Sequence, residues 1–372
     1  MRIAVNAIFL RKGQLEGYGH YVNELVSRLA VQHPEHEFIL VFDRPYDPSF
    51  VYGPNVIPVV VKPAARHILT FKYWYDVKAP AALKRYKPDV WLQPYSFCSL
   101  HTRIPQVLVL HDLSFLHYPS FIPWQHRLYY RLYMKRFLKK ANHIITVSAF
   151  SKNDILQHYP VSPEKISVIH NAAAERFRPL SWQEKQQVKV EYSGAKEYFL
   201  YTGSIHPRKN LVNLLKAFSQ FKKWQHSNMK LIIAGRIAWQ SADFEEKLRT
   251  FKHRHDVVLT GYVDDEQLAK LTAAAYALVY PSWFEGFGLP IIEAMRAEVP
   301  VITSNTSAMP ETGGDAALYA APGDPEALAK HMLHLYRDET FRSNQIALGK
   351  QQAEKFSWEI AVEKVWSIVH NP

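Results

Sequence analysis

The sequence of 372 residues contains one cysteine, Cys98. One cysteine cannot form a disulfide within the chain, which excludes small disulfide-stabilised secreted domains and favours a reducing compartment. Long apolar runs are also missing, since none approaches the roughly 18 to 20 residues that span a bilayer. The apolar run at 3–10 lacks a signal-like cleavage site and is better explained as a first buried strand. These absences together predict a cytoplasmic protein.

Acidic residues are scarce in the first half of the chain. Residues 1–170 contain 21 Lys and Arg against 11 Asp and Glu, whereas residues 171–372 contain 24 against 23. The first half therefore carries nearly all of the formal net charge of +11. Such a surface attracts nucleic acid, anionic lipid or phosphorylated substrates, and charge by itself does not choose among them.

Short apolar runs alternate with helical patterns through the whole chain, which predicts an α/β fold with parallel sheets. The predicted strands are 3–7, 38–42, 56–61, 90–92, 107–110 and 143–147, then 198–203, 230–235, 257–260, 277–280 and 301–304. Because the pattern restarts near Phe199, we predict two Rossmann-like domains facing a ligand cleft.

The predicted boundaries follow from the same alternation. The first domain covers 1–173, a polar linker covers 174–196, and the second domain covers 197–355. The terminal helical pattern at 356–372 contains Trp358 and Trp366. It packs either on the second domain or back on the first, and the sequence leaves both arrangements open.

The segment 285–293, Glu-Gly-Phe-Gly-Leu-Pro-Ile-Ile-Glu, follows a predicted buried strand. A glycine-bearing turn at a helix start lets backbone N–H groups approach an anion closely. With Glu285 before the turn and Glu293 one helical turn inside, the pattern suits a ligand with hydroxyls at both ends and phosphate in its centre. Ordinary N-terminal capping of a helix is the alternative explanation of this turn.

Arg208 and Lys209 follow the strand that ends at Gly203 and precede a helical run. Adjacent cations at a helix N-terminus oppose the helix dipole, so a bound diphosphate would offset a local conflict. A solvated basic turn is the alternative.

Four segments in order resemble the retaining glycosyltransferases of family 4, the group 1 glycosyltransferases, which have the GT-B fold. The segments are His111-Asp112, 146–152, 203–211 and 285–293, and the pair Pro310-Glu311 also fits. The resemblance covers most of the chain and is closest to mannosyltransferase-like members. Many relatives carry an arginine directly after the glycine, where this chain has Ser204, so more of the leaving-group stabilisation would fall on Arg208 and Lys209.

The resemblance implies a role for each residue of the second domain that matches the family motif. Arg208 and Lys209 would bind the donor pyrophosphate and stabilise its charge as it leaves. Glu285 would contact the transferred sugar and Glu293 the ribose. The remaining residues of the motif would meet sugar hydroxyls and phosphates through their backbone amides: Gly286, Phe287, Gly288 and Leu289.

Further candidates stand at or after other predicted strands. His111 could hydrogen-bond a sugar hydroxyl or assist proton movement near neutral pH. The glycines of Gly17-Tyr18-Gly19-His20 would approach phosphate or acceptor, although a plain turn explains them equally well and His20 replaces an arginine common in relatives. Arg236 and Val263 are candidates for contacts near the nucleotide.

We predict a reaction without a cofactor or metal, with a nucleoside-diphosphate sugar as donor substrate. The sequence shows no Asp-x-Asp after a strand, the motif of metal-dependent nucleotide-sugar enzymes. The family mechanism implies retention by front-face attack. Glu285 and Glu293 are not a glycosidase pair, because a nucleoside diphosphate needs charge stabilisation more than a proton donor.

A cationic stripe recurs every four residues in the predicted helix 124–140: Arg127, Arg131, Lys135 and Lys139. Together with the aromatic segment 71–87, it could rest on anionic lipid headgroups, or it could simply be a solvated face. The residues and the family resemblance together predict a hexosyltransferase that acts on a glycan or lipid-linked acceptor in polysaccharide biosynthesis and has no nucleic-acid partner. Mannose as the sugar is implied by the resemblance. The alternatives are a nucleotide-sugar epimerase or hydrolase, and a non-enzymatic basic binding protein.

Overall fold

The computed structural model describes residues 1–13, 15, 17–65, 67–237 and 242–372. The chain forms two compact units, the first made of Met1–Asn171 with Trp358–Pro372 and the second of Ala172–Ser357. The segment 174–196, predicted as a linker, differs in the structure: it belongs to the second unit and contains a helix. Ser181 caps this helix and Glu184 completes a capping box. A capping box is a sequence signal for a helix start, but the segment was predicted as a linker because it lacks strand character.

The first unit contains a seven-stranded parallel sheet in the order β3-β2-β1-β4-β5-β6-β7. Its strands are β1 (Arg2–Asn6), β2 (Glu37–Phe42), β3 (Val56–Val60), β4 (Val90–Gln93), β5 (Gln106–Val109), β6 (His143–Thr146) and β7 (Ile166–Val168). Its first six helices are α1 (Gly17–Gln32), α2 (Ile68–Tyr73), α3 (Ala79–Leu83), α4 (Ser114–His117), α5 (Trp124–Lys140) and α6 (Ala149–His158). Short 3₁₀ turns at Pro48–Phe50, Pro119–Phe121 and Pro163–Lys165 and a π-helical turn at Trp74–Lys78 complete it.

The second unit contains a six-stranded parallel sheet in the order β10-β9-β8-β11-β12-β13. Its strands are β8 (Tyr198–Thr202), β9 (Lys230–Ala234), β10 (Val257–Gly261), β11 (Ala277–Tyr280), β12 (Val301–Ser304) and β13 (Ala317–Ala320). Its helices are α7 (Trp182–Ser193), α8 (Leu211–Gln225), α9 (Ala242–Arg249), α10 (Asp265–Ala273), α11 (Leu289–Arg296), α12 (Met309–Gly313), α13 (Pro325–Arg337) and α14 (Glu339–Ala353). Among its described residues, 3₁₀ turns lie at Pro207–Lys209, Arg254–Asp256 and Gly314–Ala316.

The predicted class of two parallel-sheet, Rossmann-like domains is confirmed. In each sheet the strand order changes direction next to the first strand of the unit. This reversal lies between β1 and β4 in the first unit and between β8 and β11 in the second. Ligands of open α/β sheets bind outside the carboxyl ends of strands at such a reversal, so the loops after β8 and β11 flank the expected ligand position in the second unit.

The last helix, α15 (Trp358–His370), is part of the first unit. Trp358 is 5% exposed, and its ring lies 6.1 Å from that of Tyr21 and 5.6 Å from the Arg28 guanidinium. Trp366 stacks on His33 with 3.7 Å between ring centroids. These aromatic contacts hold α15 against α1.

Candidate functional site

The loop after β8 carries the two predicted diphosphate-binding cations. Pro207–Lys209 forms a 3₁₀ turn, and Asn210 takes a left-handed conformation before α8 begins. The Asn210 side-chain amide donates to the carbonyl oxygens of Pro281 and Pro322 at 2.9 and 2.7 Å. This buried amide therefore ties the cationic turn to the loop that follows β11.

Arg208 and Lys209 share the carboxylate of Glu285. Arg208 Nη1 lies 3.0 Å from Glu285 Oε2, and Lys209 Nζ lies 2.7 Å from Glu285 Oε1. Lys209 Nζ also donates to the Tyr280 hydroxyl at 2.6 Å, and Arg208 donates to the Phe284 carbonyl at 2.5 Å. The three side chains form a cation–carboxylate–cation triad, which we name the Arg208–Glu285–Lys209 triad.

The triad keeps Glu285 ionised although the residue is only 7% exposed. Burial alone would raise the pKa of the Glu285 carboxyl, but the charges of Arg208 and Lys209 outweigh burial and lower that pKa to about 2. Glu285 is therefore a carboxylate at neutral pH and holds no proton that it could donate to a leaving group. The triad has one positive formal charge in excess, which favours an anionic ligand.

The loop between β11 and α11 has the backbone that the sequence predicted. Gly288 precedes the helix with φ of 94°, and Pro290 stands in the first turn of α11. Phe287 is buried, and its carbonyl accepts a hydrogen bond from the Thr312 hydroxyl at 2.5 Å. Gly286, Phe287 and Gly288 are buried, whereas Leu289 and Glu293 are partly exposed at the start of α11.

Close backbone packing places the loop after β8 against the loop after β9. Gly235 has φ of 152°, and a Cβ there would lie 2.0 Å from the Gly203 carbonyl oxygen. Only glycine fits this contact, since a Cβ would collide with backbone atoms. Arg236 follows as an exposed residue whose carbonyl accepts from the Ile205 amide at 2.9 Å, and Val263 is partly buried beyond β10.

His111 follows β5 in the first unit and is 9% exposed. Its Nε2 lies 3.1 Å from the Pro94 carbonyl oxygen, so this nitrogen carries a hydrogen and Nδ1 of the neutral ring is an acceptor. Burial lowers the pKa of His111, while the Pro94 hydrogen bond and Asp112 oppose that shift. The rings of Tyr18 and Tyr21 lie 4.8 and 4.9 Å from the imidazole.

The predicted glycine turn lies at the start of α1. Gly17 is the first residue of the helix, and a Cβ there would meet no atom within 4 Å. Gly19 differs, because a Cβ would lie 2.9 Å from the Phe9 carbonyl oxygen. Gly19 thus has a packing requirement for glycine, whereas Gly17 has none.

Two family descriptions match successive parts of the chain. Residues 15–174 match glycosyltransferase family 4, and residues 183–352 match glycosyl transferases group 1. The chain is also 32% identical over 363 residues to O-antigen chain mannosyltransferase B of Escherichia coli, with 94% of each chain covered. The chain is a group 1 glycosyltransferase.

Solved structures agree with this family in fold. WaaG, described as a glycosyltransferase involved in lipopolysaccharide biosynthesis, matches over 100% of both chains at a TM-score of 0.78 and 16% identity. Anabaena Alr3699/HepE in complex with UDP-glucose matches over 100% of both chains at a TM-score of 0.77 and 17% identity. The GT-B fold predicted from the resemblance is therefore confirmed for the enzyme.

Sequence reasoning missed three residues that position the triad: Tyr280, Asn210 and Ser307. The Ser307 hydroxyl accepts from the Glu285 amide at 3.0 Å and so fixes the backbone of the glutamate. A tyrosine at the last position of β11 was the available signal for Tyr280. Ser307 gave none, and Asn210 was noted only as part of the segment 203–211, because the partners of both residues lie in loops distant in sequence.

The basic, aromatic surface predicted around α5 is partly different in the structure. Trp74 and Tyr75 are buried in the core and do not belong to this surface. The four cations of the stripe are exposed, and Trp124, Leu128 and Leu132 lie among them with 63%, 47% and 56% exposure. Leu69, Tyr73 and Val77 are exposed on the neighbouring segment that includes α2. Among the described residues, no helix combines the length and apolar character needed to cross a membrane.

Proposed function

We propose that this glycosyltransferase moves mannose from a nucleoside-diphosphate donor to a glycan acceptor during assembly of a surface polysaccharide. The Arg208–Glu285–Lys209 triad carries the proposal, because it places two cations and one ionised carboxylate beside the strand-order reversal β8/β11. The choice of mannose and of a polysaccharide rests on the similarity to the O-antigen chain mannosyltransferase B.

The two cations of the triad would bind the diphosphate. An arginine offers paired donors to phosphate oxygens and a lysine offers a compact charge. As the bond from the sugar to the diphosphate breaks, negative charge grows on the leaving oxygen, and fixed cations in a buried site stabilise that charge. We propose that these side chains supply what Mg²⁺ supplies in metal-dependent enzymes.

Glu285 would act on the sugar and Glu293 on the ribose. A carboxylate with a pKa near 2 accepts hydrogen bonds from sugar hydroxyls and stabilises positive charge developing on the sugar ring. Backbone amides of residues 286–289 lie between these two acids in sequence, at the start of α11, where a helix N-terminus favours phosphate.

We propose retention of the anomeric configuration. The bond from sugar C1 to the diphosphate oxygen breaks, a bond from C1 to the acceptor oxygen forms on the same face, and the acceptor proton passes to the diphosphate oxygen. His111, neutral because burial lowers its pKa, would accept a hydrogen bond at Nδ1 from a hydroxyl of the sugar.

The surface of α5 supports an acceptor held at a lipid headgroup layer. Exposed cations interleaved with exposed Trp124, Leu128 and Leu132 match the composition of interfacial helices. The enzyme would then work at the inner face of a membrane. Sedimentation with vesicles containing anionic lipid tests this, with a Leu128→Asn, Leu132→Asn double variant expected to bind less and neutral vesicles as the control.

A transfer assay tests the main proposal. The enzyme is incubated with mannose and glucose donors of GDP, UDP and ADP and with a lipid-linked or oligomannoside acceptor. We expect one mannose donor to give a glycosylated product with retained configuration by NMR, with EDTA present or absent. Free sugar or an epimer formed without acceptor would instead indicate a hydrolase or epimerase, and an inverted product would contradict retention.

A further inference from the structure

Two histidines and an aspartate converge in the first unit, and none of the three is assigned to sugar transfer. His117 Nε2 lies 2.9 Å from both carboxylate oxygens of Asp154, and His158 Nδ1 lies 3.1 Å from Asp154 Oδ1. One ligand atom from each residue can be chosen so that all lie within 4.8 Å of one another. We name this group the His117–Asp154–His158 cluster.

Two separate elements supply the cluster. His117 ends α4, the short helix that follows His111, whereas Asp154 and His158 lie four residues apart on α6. Residues at this spacing share one face of a helix, so both α6 ligands point toward α4. The Asp154 carboxylate is 4% exposed, while the two imidazoles are 32% and 39% exposed. A metal ion could therefore reach the cluster from solvent and find a fixed carboxylate.

The chemistry of the donors selects the class of ion. Two imidazoles with one carboxylate are typical of Zn²⁺ and related transition ions, whereas Mg²⁺ and Ca²⁺ prefer oxygen ligands alone. Zn²⁺ with bonds of about 2.0 to 2.1 Å keeps tetrahedral ligand atoms roughly 3.3 Å apart. The nitrogen–oxygen distances of 2.9 and 3.1 Å are close to that spacing. His158 Nδ1 also lies 2.9 Å from the Asp154 carbonyl oxygen, a hydrogen bond that this nitrogen would give up on binding the ion.

We propose that the His117–Asp154–His158 cluster binds one divalent transition-metal ion of the Zn²⁺ class, which joins α4 to α6. The ion has three protein ligands and leaves a position for water. Its role is structural, since it would take no part in the bond changes of sugar transfer. Ser151 of α6 donates to the His111 carbonyl at 3.2 Å, so the joined elements also support the backbone of His111.

The test uses the full chain without a histidine tag, stripped with EDTA and then desalted. Calorimetric titration with ZnCl₂ should show one site per chain, and Zn²⁺ should raise the thermal midpoint. His158→Ala and Asp154→Asn each remove a ligand of the ion, so Zn²⁺ binding should weaken by more than the roughly 10- to 100-fold that loss of a residue behind the ligands costs. His334→Ala is the matched control, since His334 faces Asp338 at the same i,i+4 spacing without a second histidine in that pair. This control should bind Zn²⁺ like the wild type.

Cobalt provides a readout that a folding defect does not imitate. Co²⁺ in the wild-type site should give the visible absorption of a low-coordinate complex, and His158→Ala should lose it while its circular dichroism stays unchanged. Absence of Zn²⁺ binding by the wild type, or wild-type affinity in His158→Ala and Asp154→Asn, would overturn the proposal. Nucleotide affinity is measured in parallel and should not depend on Zn²⁺, so failure of the metal site is distinguishable from failure of the proposed transferase.

Discussion

At the scale of single residues, Glu285 illustrates how a buried acid can be kept ionised. Its carboxylate has a cation on each oxygen, Arg208 on one and Lys209 on the other. Removing one partner of such a buried group leaves charge without compensation, which costs more than an exposed ion pair contributes. The triad is therefore expected to contribute to stability as well as to ligand binding.

The pH dependence of stability follows from the low pKa of Glu285. Folding lowers that pKa from 4.5 to about 2, so the stabilisation is complete above 4.5 and is lost as the pH falls toward 2. Glu285→Gln should lower the free energy of unfolding at pH 7 by about 3 kcal/mol, and this difference should shrink between pH 4.5 and pH 3. Urea unfolding followed by circular dichroism measures both values.

Glu298→Gln provides the control for this pH series. Glu298 pairs with Lys350 at 3.4 Å on the exposed side of the same unit. Its substitution should change the free energy of unfolding by less than about 1 kcal/mol. A Glu285→Gln difference that stays constant from pH 7 to pH 3 would contradict the proposed charge balance.

Lys209 gives a residue-scale test of catalysis. Lys209→Ala removes a cation from the developing charge of the leaving group, so turnover should fall by roughly 10²- to 10³-fold. Lys216→Ala, on the exposed face of α8, should keep wild-type turnover. Initial rates with saturating donor measure both variants. Near-wild-type turnover in Lys209→Ala would remove the residue from the catalytic site.

At the scale of elements, the contrast between two tryptophans tests what holds α15 in place. Trp358→Ala deletes a buried indole from the contact with α1 and should cost about 3 to 5 kcal/mol of unfolding free energy. Trp182→Ala is the control, because Trp182 is 71% exposed on α7 and its loss should cost no more than about 0.5 kcal/mol. Hydrogen exchange of α1 amides reports the change locally, and equal protection in both variants would argue against the packing of α15.

The positions of the strands show which parts of the fold could be predicted from the sequence. Buried parallel strands have nearly continuous apolar sequences, so β1, β8 and β11 were visible from pattern alone. The strands β7 and β13 were missed, since Ile166–Val168 has three residues and Ala317–Ala320 has two alanines among four. An alanine side chain buries little surface in a strand, and alanine has a low β-propensity.

Contacts across elements were beyond sequence reasoning. The motifs for the loops after β8 and β11 were recognised separately, but their meeting depends on β8 pairing with β11. Arg208 and Glu285 are 77 positions apart, and no periodicity encodes that pairing. The His117–Asp154–His158 cluster was missed for the same reason, because only the Asp154–His158 spacing is local.

At the scale of the whole molecule, each unit combines a parallel sheet with loops at one strand-order reversal. The charge is unevenly distributed along the chain, because residues 1–170 carry most of the basic excess. The proposed donor site, in contrast, lies in the second unit. This division fits the proposal that the first unit meets an anionic surface while the second holds the donor.

The most direct test of the proposed donor site is calorimetric binding of UDP, GDP and ADP to the wild type and to Lys209→Ala, each with and without EDTA. We predict that one nucleoside diphosphate binds the wild type in preference to the others, that EDTA leaves its affinity unchanged, and that Lys209→Ala binds it more weakly. Failure of all three nucleotides to bind the wild type, or wild-type affinity in Lys209→Ala, would contradict the assignment of the Arg208–Glu285–Lys209 triad to the donor diphosphate.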